Sequence, residues 1–387
     1  MTVALITPAM LAWARQRSTM PVDSVASKLK VPAARIEDWE AGRQRPTFRQ
    51  ARDLAGLLHV PFGYFYLAAP PEEPLPVVDL RTLAGAAPAR PSTALRDALS
   101  DAVGKQEWYR DLLEDHGAEP VSVVGKFAGS GDVEAIAASI TASLGVALER
   151  RAALRGWEEC LSALMAGAEA AGVTVMRSSV VGANTHRHLD VEEFRGFALC
   201  DRFAPIVFIN GADAKAAQLF TLVHELAHIW IGVSGVVDAD LQTAGADRAT
   251  ERLCDTVAAE VLVPKADLAS QWQPAQGLAG NLDRLVRRYK VSGIVVARRA
   301  ADLGLIPRDE FAAFLAAEKQ RWQAIRDQSK DGGGNFYATV AVRNGRHLTT
   351  ALVRAAVGGE LLLRDVGALL GIRPDAITRL AHELGVG

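Results

Sequence analysis

Phe220-Thr221-Leu222-Val223-His224-Glu225-Leu226-Ala227-His228-Ile229-Trp230 is the stretch on which the reading of this chain turns. Its apolar residues recur at helical spacing, and on a helix positions i and i+4 project from one face, so His224 and His228 can present both imidazoles to one ion. Histidine nitrogens hold Zn2+ at about 2.0–2.1 Å, and a glutamate between two such histidines stands beside the coordination position left for water. Leu222, Val223, Leu226 and Ile229 supply the apolar stripe that fixes such a helix in a core. The plainer reading is a chance pattern on an amphipathic helix whose histidines face solvent. Three neighbours oppose it: the apolar flanks, a candidate edge strand upstream at 205–209, and a second helix with a well-placed acid.

A catalytic zinc takes three protein ligands and keeps a fourth place open, so one more donor has to come from elsewhere. His186, His188, Asp238, Asp240, Asp247, Glu251, Asp255 and Glu260 are all within reach in sequence. Glu251 is the expected third ligand. It stands with Asp255 at i and i+4 on a helix read over about 248–261, and Ala258-Ala259 lets that helix pack closely on the first. Asp255 is then placed to accept the outer N–H of His224 or His228, the support that metal-bound histidines require. The competing account of this pair is a solvated helix face. His186 and His188 are read as incidental histidines of a surface loop, with oxyanion stabilisation as the alternative.

Residues 220–228, followed by Glu251-Arg252-Leu253-Cys254-Asp255 and Ala258-Ala259-Glu260-Val261-Leu262-Val263-Pro264, resemble the ImmA/IrrE family of metallopeptidases over about residues 130–270. The resemblance implies a zincin-like α+β domain in which His224, His228 and Glu251 bind Zn2+ and Glu225 is the general base. Glu225 would take a proton from water and pass it to the leaving amine while zinc polarises the scissile carbonyl. The family usually has Asn where this chain has Asp255, so the supporting role of Asp255 rests on its own chemistry. An extended substrate is expected to add to the 205–209 strand if that strand lies at a sheet edge; a core strand is the equal alternative.

Upstream, short helices follow one another at close intervals. Thr7-Pro8 opens the first, through Arg17, with Met10, Leu11 and Ala14 as its buried stripe. Residues 22–29 form the second and 32–40 the third, which Gly42 terminates. Pro46-Thr47 opens the fourth, through Leu58, and Pro61 the last, through about Leu67. Val25-Ala26-Ser27-Lys28-Leu29-Lys30-Val31-Pro32, Ile36, Trp39-Glu40-Ala41-Gly42 and Arg45-Pro46-Thr47 resemble the Xre/Cro helix-turn-helix family over about residues 7–67. That stretch holds nine basic and five acidic residues, so it is locally basic. The third helix nevertheless offers base edges one guanidinium, Arg35, beside Glu37 and Asp38. Arg35, Arg43 and Arg45 are the candidate DNA contacts, and weak binding with poor sequence selectivity is expected. A partner protein of similar build is the equal alternative for this domain.

The composition agrees with a multidomain protein. The chain has 387 residues, 49% of them hydrophobic, and a net charge of -2, which excludes dominant disorder and a whole-protein basic field. Three widely spaced cysteines exclude a disulfide framework and fit a reducing, cytoplasmic setting; no apolar run is long enough to cross a bilayer. Prolines 70, 71, 74, 76, 88 and 91 mark a linker. The expected order is therefore a five-helix helix-turn-helix domain at 1–68, a linker at 69–91 and the peptidase domain at 92–275. A helical segment at 276–330 carries Arg284, Arg287, Arg288, Lys290, Arg298 and Arg299, read as a solvated face, and a small helix-turn-helix-like module follows at 331–387 after a Gly332–Gly334 turn. The fold class is mainly α with a small β-sheet. The expected activity is zinc-dependent cleavage of a protein substrate, a helix-turn-helix repressor, with no membrane partner and a homo-oligomer left open. The rival reading is a DNA-binding regulator or antitoxin-like protein whose zincin domain is sensory or structural.

Overall fold

The computed structural model describes residues 2–18, 20–71, 91–237, 246–326 and 336–386. The chain divides into two compact units, the first comprising Met1–Pro76 with Ala89–Ser100 and the second Val77–Pro88 with Asp101–Gly387. Both are built mainly from helices. Among the described residues no helix is long and apolar enough to cross a membrane.

In the first unit, α1 (Pro8–Arg17), α2 (Val22–Leu29), α3 (Ala33–Glu40) and α4 (Phe48–Leu57) follow the expected boundaries within two residues. The fifth expected helix is a single stretch of 3-10 helix, Phe62–Tyr66. Local chemistry explains the sharp ends. Thr47 and Gln50 form a reciprocal capping box at the start of α4, and Lys30 closes α2 in the left-handed conformation that turns the chain toward α3. Met10, Leu11, Ala14, Val25, Ile36, Trp39, Leu54 and Phe65 make the core of this unit, each essentially inaccessible to solvent.

α5 (Thr93–Asp115) begins in the first unit and continues into the second, where α6 (Val133–Leu144), α7 (Leu148–Ala153) and α8 (Trp157–Ala170) follow in sequence and lead into the sheet. Strands β1 (Thr174–Ser178), β2 (Gly196–Leu199), β3 (Ile206–Asn210) and β4 (Gly235–Val237) lie in the order β1-β3-β2-β4. β1 and β3 are parallel; β2 runs antiparallel to both β3 and β4. The 205–209 segment is thus an interior strand, paired on both sides, and not the edge that would receive a substrate. Its five successive buried residues explain the outcome: a run with no polar alternation is covered on both faces.

Helices α9 (Lys215–Ile231) and α10 (Ala246–Leu262) pack against each other, and α9 lies on β2 and β3. Then come α11 (Lys265–Gln271), α12 (Gly277–Tyr289), α13 (Gly293–Asp302) and α14 (Arg308–Arg326). Here the basic run departs from expectation. Arg284 donates to the Gln271 carbonyl, Arg288 pairs with Asp267 at 2.6 Å, and Arg299 pairs with Glu260 and donates to the Val263 carbonyl. Three of the six cations therefore pair with α10 and α11, because helix ends offer carbonyls and carboxylates that a guanidinium can satisfy. Arg151 adds to this, donating from its buried guanidinium to the Val261 and Leu262 carbonyls at 3.0 and 2.7 Å.

The C-terminal helices are α15 (Phe336–Asn344), α16 (Arg346–Val357), α17 (Leu363–Leu370) and α18 (Ile377–Leu384). The expected glycine turn at 332–334 lies outside the described residues. α15 packs against β1, and the junction is specific: Lys105 Nζ donates to Asn344 Oδ1 at 2.8 Å, and the buried Glu169 carboxylate accepts the Arg346 N–H at 2.7 Å. Gly345, in the left-handed region at φ 80°, sits where a Cβ would run into Thr174.

Candidate metal centre

α9 is buried along almost its whole length, from Gln218 and Leu219 through Thr221 to Ile231. Leu222, Val223, Leu226, Ile229 and Trp230 hold it in the main core, as the apolar stripe implied. It ends at Gly232 in the left-handed conformation, with the Gly232 N–H donating to the Ile229 carbonyl and the Val233 N–H to the His228 carbonyl. His224, Glu225 and His228 are therefore inside the protein, at 1%, 0% and 1% exposure, which removes the solvent-facing alternative.

Their side chains converge with those of α10. His224 Nε2 and His228 Nε2 are 3.1 Å apart; the Glu251 carboxylate places one oxygen 3.2 Å from the first and the other 3.3 Å from the second. His224 Nδ1 lies 3.0 Å from Asp255 Oδ1. Three of the eight sequence candidates for the further donor are thereby sorted. Glu251 joins the histidines, Asp255 stands behind His224, and Glu260 turns to Arg299 and the Lys265 N–H. His186 and His188 lie on an exposed hairpin closed by the Val180–His188 bridge, outside the cluster. Asp238 and Asp240 lie outside the described residues, as does the Asp247 side chain.

One further donor was not foreseen. The buried Cys254 thiol lies within 4.8 Å of both histidines, forming with them the group of potential metal ligands found among the described residues. The signal was available: Cys254 is three residues beyond Glu251, on the same face of α10. Burial pushes its thiol far above the ordinary range, and the Glu251, Glu225 and Asp255 carboxylates add to the effect.

The electrostatics ask for a cation. Burial opposes a proton on His224, yet hydrogen bonds to Asp255 and Glu251 and the field of Glu225 outweigh it and lift that ring to about 10. Burial keeps His228 below its usual value. Glu251 is disfavoured as an anion by burial, but its bonds to the two histidines bring it down to about 2. Burial without any partner drives Glu225 well above the carboxylate range, with His224 opposing and Glu251 reinforcing the rise. The two Nε2 atoms and both Glu251 oxygens face one another at 3.1–3.3 Å, separations that suit ligands sharing a tetrahedral ion at about 2.0–2.2 Å. Both Glu225 oxygens and His228 Nδ1 are buried with no hydrogen-bond partner among the described residues, so these residues carry more polar capacity than they use. The donor set fits a divalent metal.

Against known families, residues 168–301 match the IrrE N-terminal-like domain, Peptidase_M78. Residues 344–383 match a domain of unknown function, DUF8813. No curated protein matches the chain. The first match spans β1 to α13 and so contains the whole cluster; it begins and ends later than the 130–270 stretch whose residues carry the ImmA/IrrE resemblance. The metal-binding geometry and the peptidase-family match thus fall on the same part of the chain, and they support a metallopeptidase-like protein.

On the first unit, Arg35, Arg43 and Arg45 are all exposed. Arg43 is held by Asp38 at 2.7 Å, and Asp38 also accepts from Gln44. One of the three candidate DNA contacts is thereby paired with a carboxylate of its own unit.

Proposed function

We propose that this protein is a zinc-dependent endopeptidase that regulates transcription by cutting a helix-turn-helix repressor. The observation that carries the reading is the convergence of His224, His228 and Glu251 around one point, with the orphaned Glu225 carboxylate beside it. His224, His228 and Glu251 would hold Zn2+, which supplies Lewis acidity to water and to the scissile carbonyl. Glu225 takes the proton from attacking water and delivers it to the leaving amine. Burial lifts its pKa above the ordinary carboxylate range, which makes it the stronger base toward water. Asp255 keeps the His224 ring in the tautomer whose Nε2 is free to coordinate.

In this reading residues 1–68 form an Xre-like helix-turn-helix domain, 92–275 the peptidase domain, and 276–330 and 331–387 helical additions, all working in the cytoplasm. The first domain recruits the substrate, or holds DNA weakly through Arg35, Arg43 and Arg45. The cut falls in an exposed loop or linker, because peptide hydrolysis needs an extended segment and a packed helix does not offer one. The test is direct. Zinc-loaded protein is incubated with helix-turn-helix repressors encoded in its own genome, and fragments are mapped by mass spectrometry. Cleavage that vanishes in Glu225→Gln at unchanged zinc content supports the assignment; intact repressors throughout would favour a regulator whose metal domain is sensory or structural.

A further inference from the structure

We propose that Gly196 is a positioning residue for the Glu225 carboxylate, a role that rests on the peptidase reading above. Gly196 opens β2, pairing with Ile209 of β3 on one side and Val237 of β4 on the other. Its backbone is outside the left-handed region, so conformation does not call for glycine there. Space does. A Cβ on residue 196 would lie 2.6 Å from Thr221 Cγ2, 2.8 Å from the Phe208 carbonyl oxygen and 2.9 Å from Glu225 Oε1.

These three walls differ in what they can yield. The Phe208 carbonyl belongs to the backbone of β3, which is held between β1 and β2. Thr221 is buried on α9 and branched at Cβ, so its methyl has little freedom. Glu225 is four residues further along the same helix, on the same face, and its carboxylate is the flexible end among the three. Among the described residues neither oxygen of that carboxylate has a hydrogen-bond partner. Its placement is therefore set by contact: it lies against a strand that has no side chain at this point. A methyl group on residue 196 cannot be seated without a shift, and of the three walls the Glu225 carboxylate is the freest to move. Proton transfer tolerates little of that, because misplacement of a reacting group by about 1 Å costs on the order of 100-fold in rate.

The proposal separates placement of the base from metal binding and from substrate affinity. The test uses full-length zinc-loaded protein carrying Gly196→Ala, and the milder pair Gly196→Ala/Thr221→Ser, in which the nearest obstructing methyl is removed and the fold is less burdened. Three quantities are read: zinc stoichiometry, kcat and KM on a cleaved peptide, and calorimetric affinity for a peptide hydroxamate. Both variants should keep one zinc per chain and a KM within about threefold of the parent, while kcat falls at least about tenfold, as expected when positioning alone is lost. Hydroxamate affinity should fall in parallel. A kcat and hydroxamate affinity within twofold of the parent, or losses that track lost zinc, would overturn the assignment. A parent protein that binds the hydroxamate but cleaves nothing would refute the peptidase reading alone, and the hydroxamate affinities would still decide the role of Gly196.

Discussion

His224 Nδ1 and Asp255 Oδ1 are 3.0 Å apart, and this one contact determines which nitrogen of the ring faces Glu251. Asp255→Asn retains an oxygen that can accept the same N–H, so it should leave zinc affinity nearly unchanged. Asp255→Ala removes the acceptor and should weaken zinc binding by about 10 to 100-fold. Competition with a chelator of known affinity measures both.

Ligation and proton transfer should come apart by mutation. Alanine at His224, His228 or Glu251 should abolish stoichiometric zinc, whereas Glu225→Gln should keep it and lose cleavage. Cys254→Ser removes the thiol near both histidines while Glu251 remains. Zinc content should survive it; loss of zinc in Cys254→Ser with retention in Glu251→Ala would make Cys254 the third ligand.

The end of α10 depends on a buried cation. Arg151→Met keeps an unbranched apolar stem but strands the Val261 and Leu262 carbonyls, both of which now accept from the guanidinium. The loss should be about 2–4 kcal/mol in urea denaturation. Zinc affinity should also fall, since α10 carries Glu251.

Any DNA binding should be weak and governed by Asp38 as much as by the arginines. Asp38→Asn releases Arg43 from its 2.7 Å partner and removes a negative charge from the same face. Duplex affinity of the full chain should rise about equally on unrelated sequences, with salt dependence steepening by about one unit of log–log slope. Sequence-selective binding by the unmodified chain at physiological salt would assign the first unit to operator recognition.

Much of this was legible from residue order because its causes are local. Thr7-Pro8, Gly42 and Pro46-Thr47 punctuate the first, third and fourth helices, and the i, i+4 pairs of α9 and α10 carry the histidines, Glu251 and Asp255. What escaped depends on neighbours distant in sequence. Strand order put β3 in the sheet interior, and no feature of 205–209 names its partners beyond the absence of polar alternation. Arg284, Arg288 and Arg299 read as a solvated face because the carbonyls and carboxylates that hold them lie 13, 21 and 39 residues away. Helices α7, α15 and α16 and strand β4 lacked signals strong enough to read. The crowding at Gly196 is invisible until β2 is laid against α9.

The helix bearing both histidines is enclosed by leucine, valine, isoleucine and tryptophan contacts that owe nothing to an ion. A chain stripped of its metal should consequently remain folded and wait, with its donors already gathered, in contrast to small domains that unravel when chelated. Ion supply would then set how many molecules are armed without altering how many are made, and the inactive population could be recruited as fast as the ion arrives.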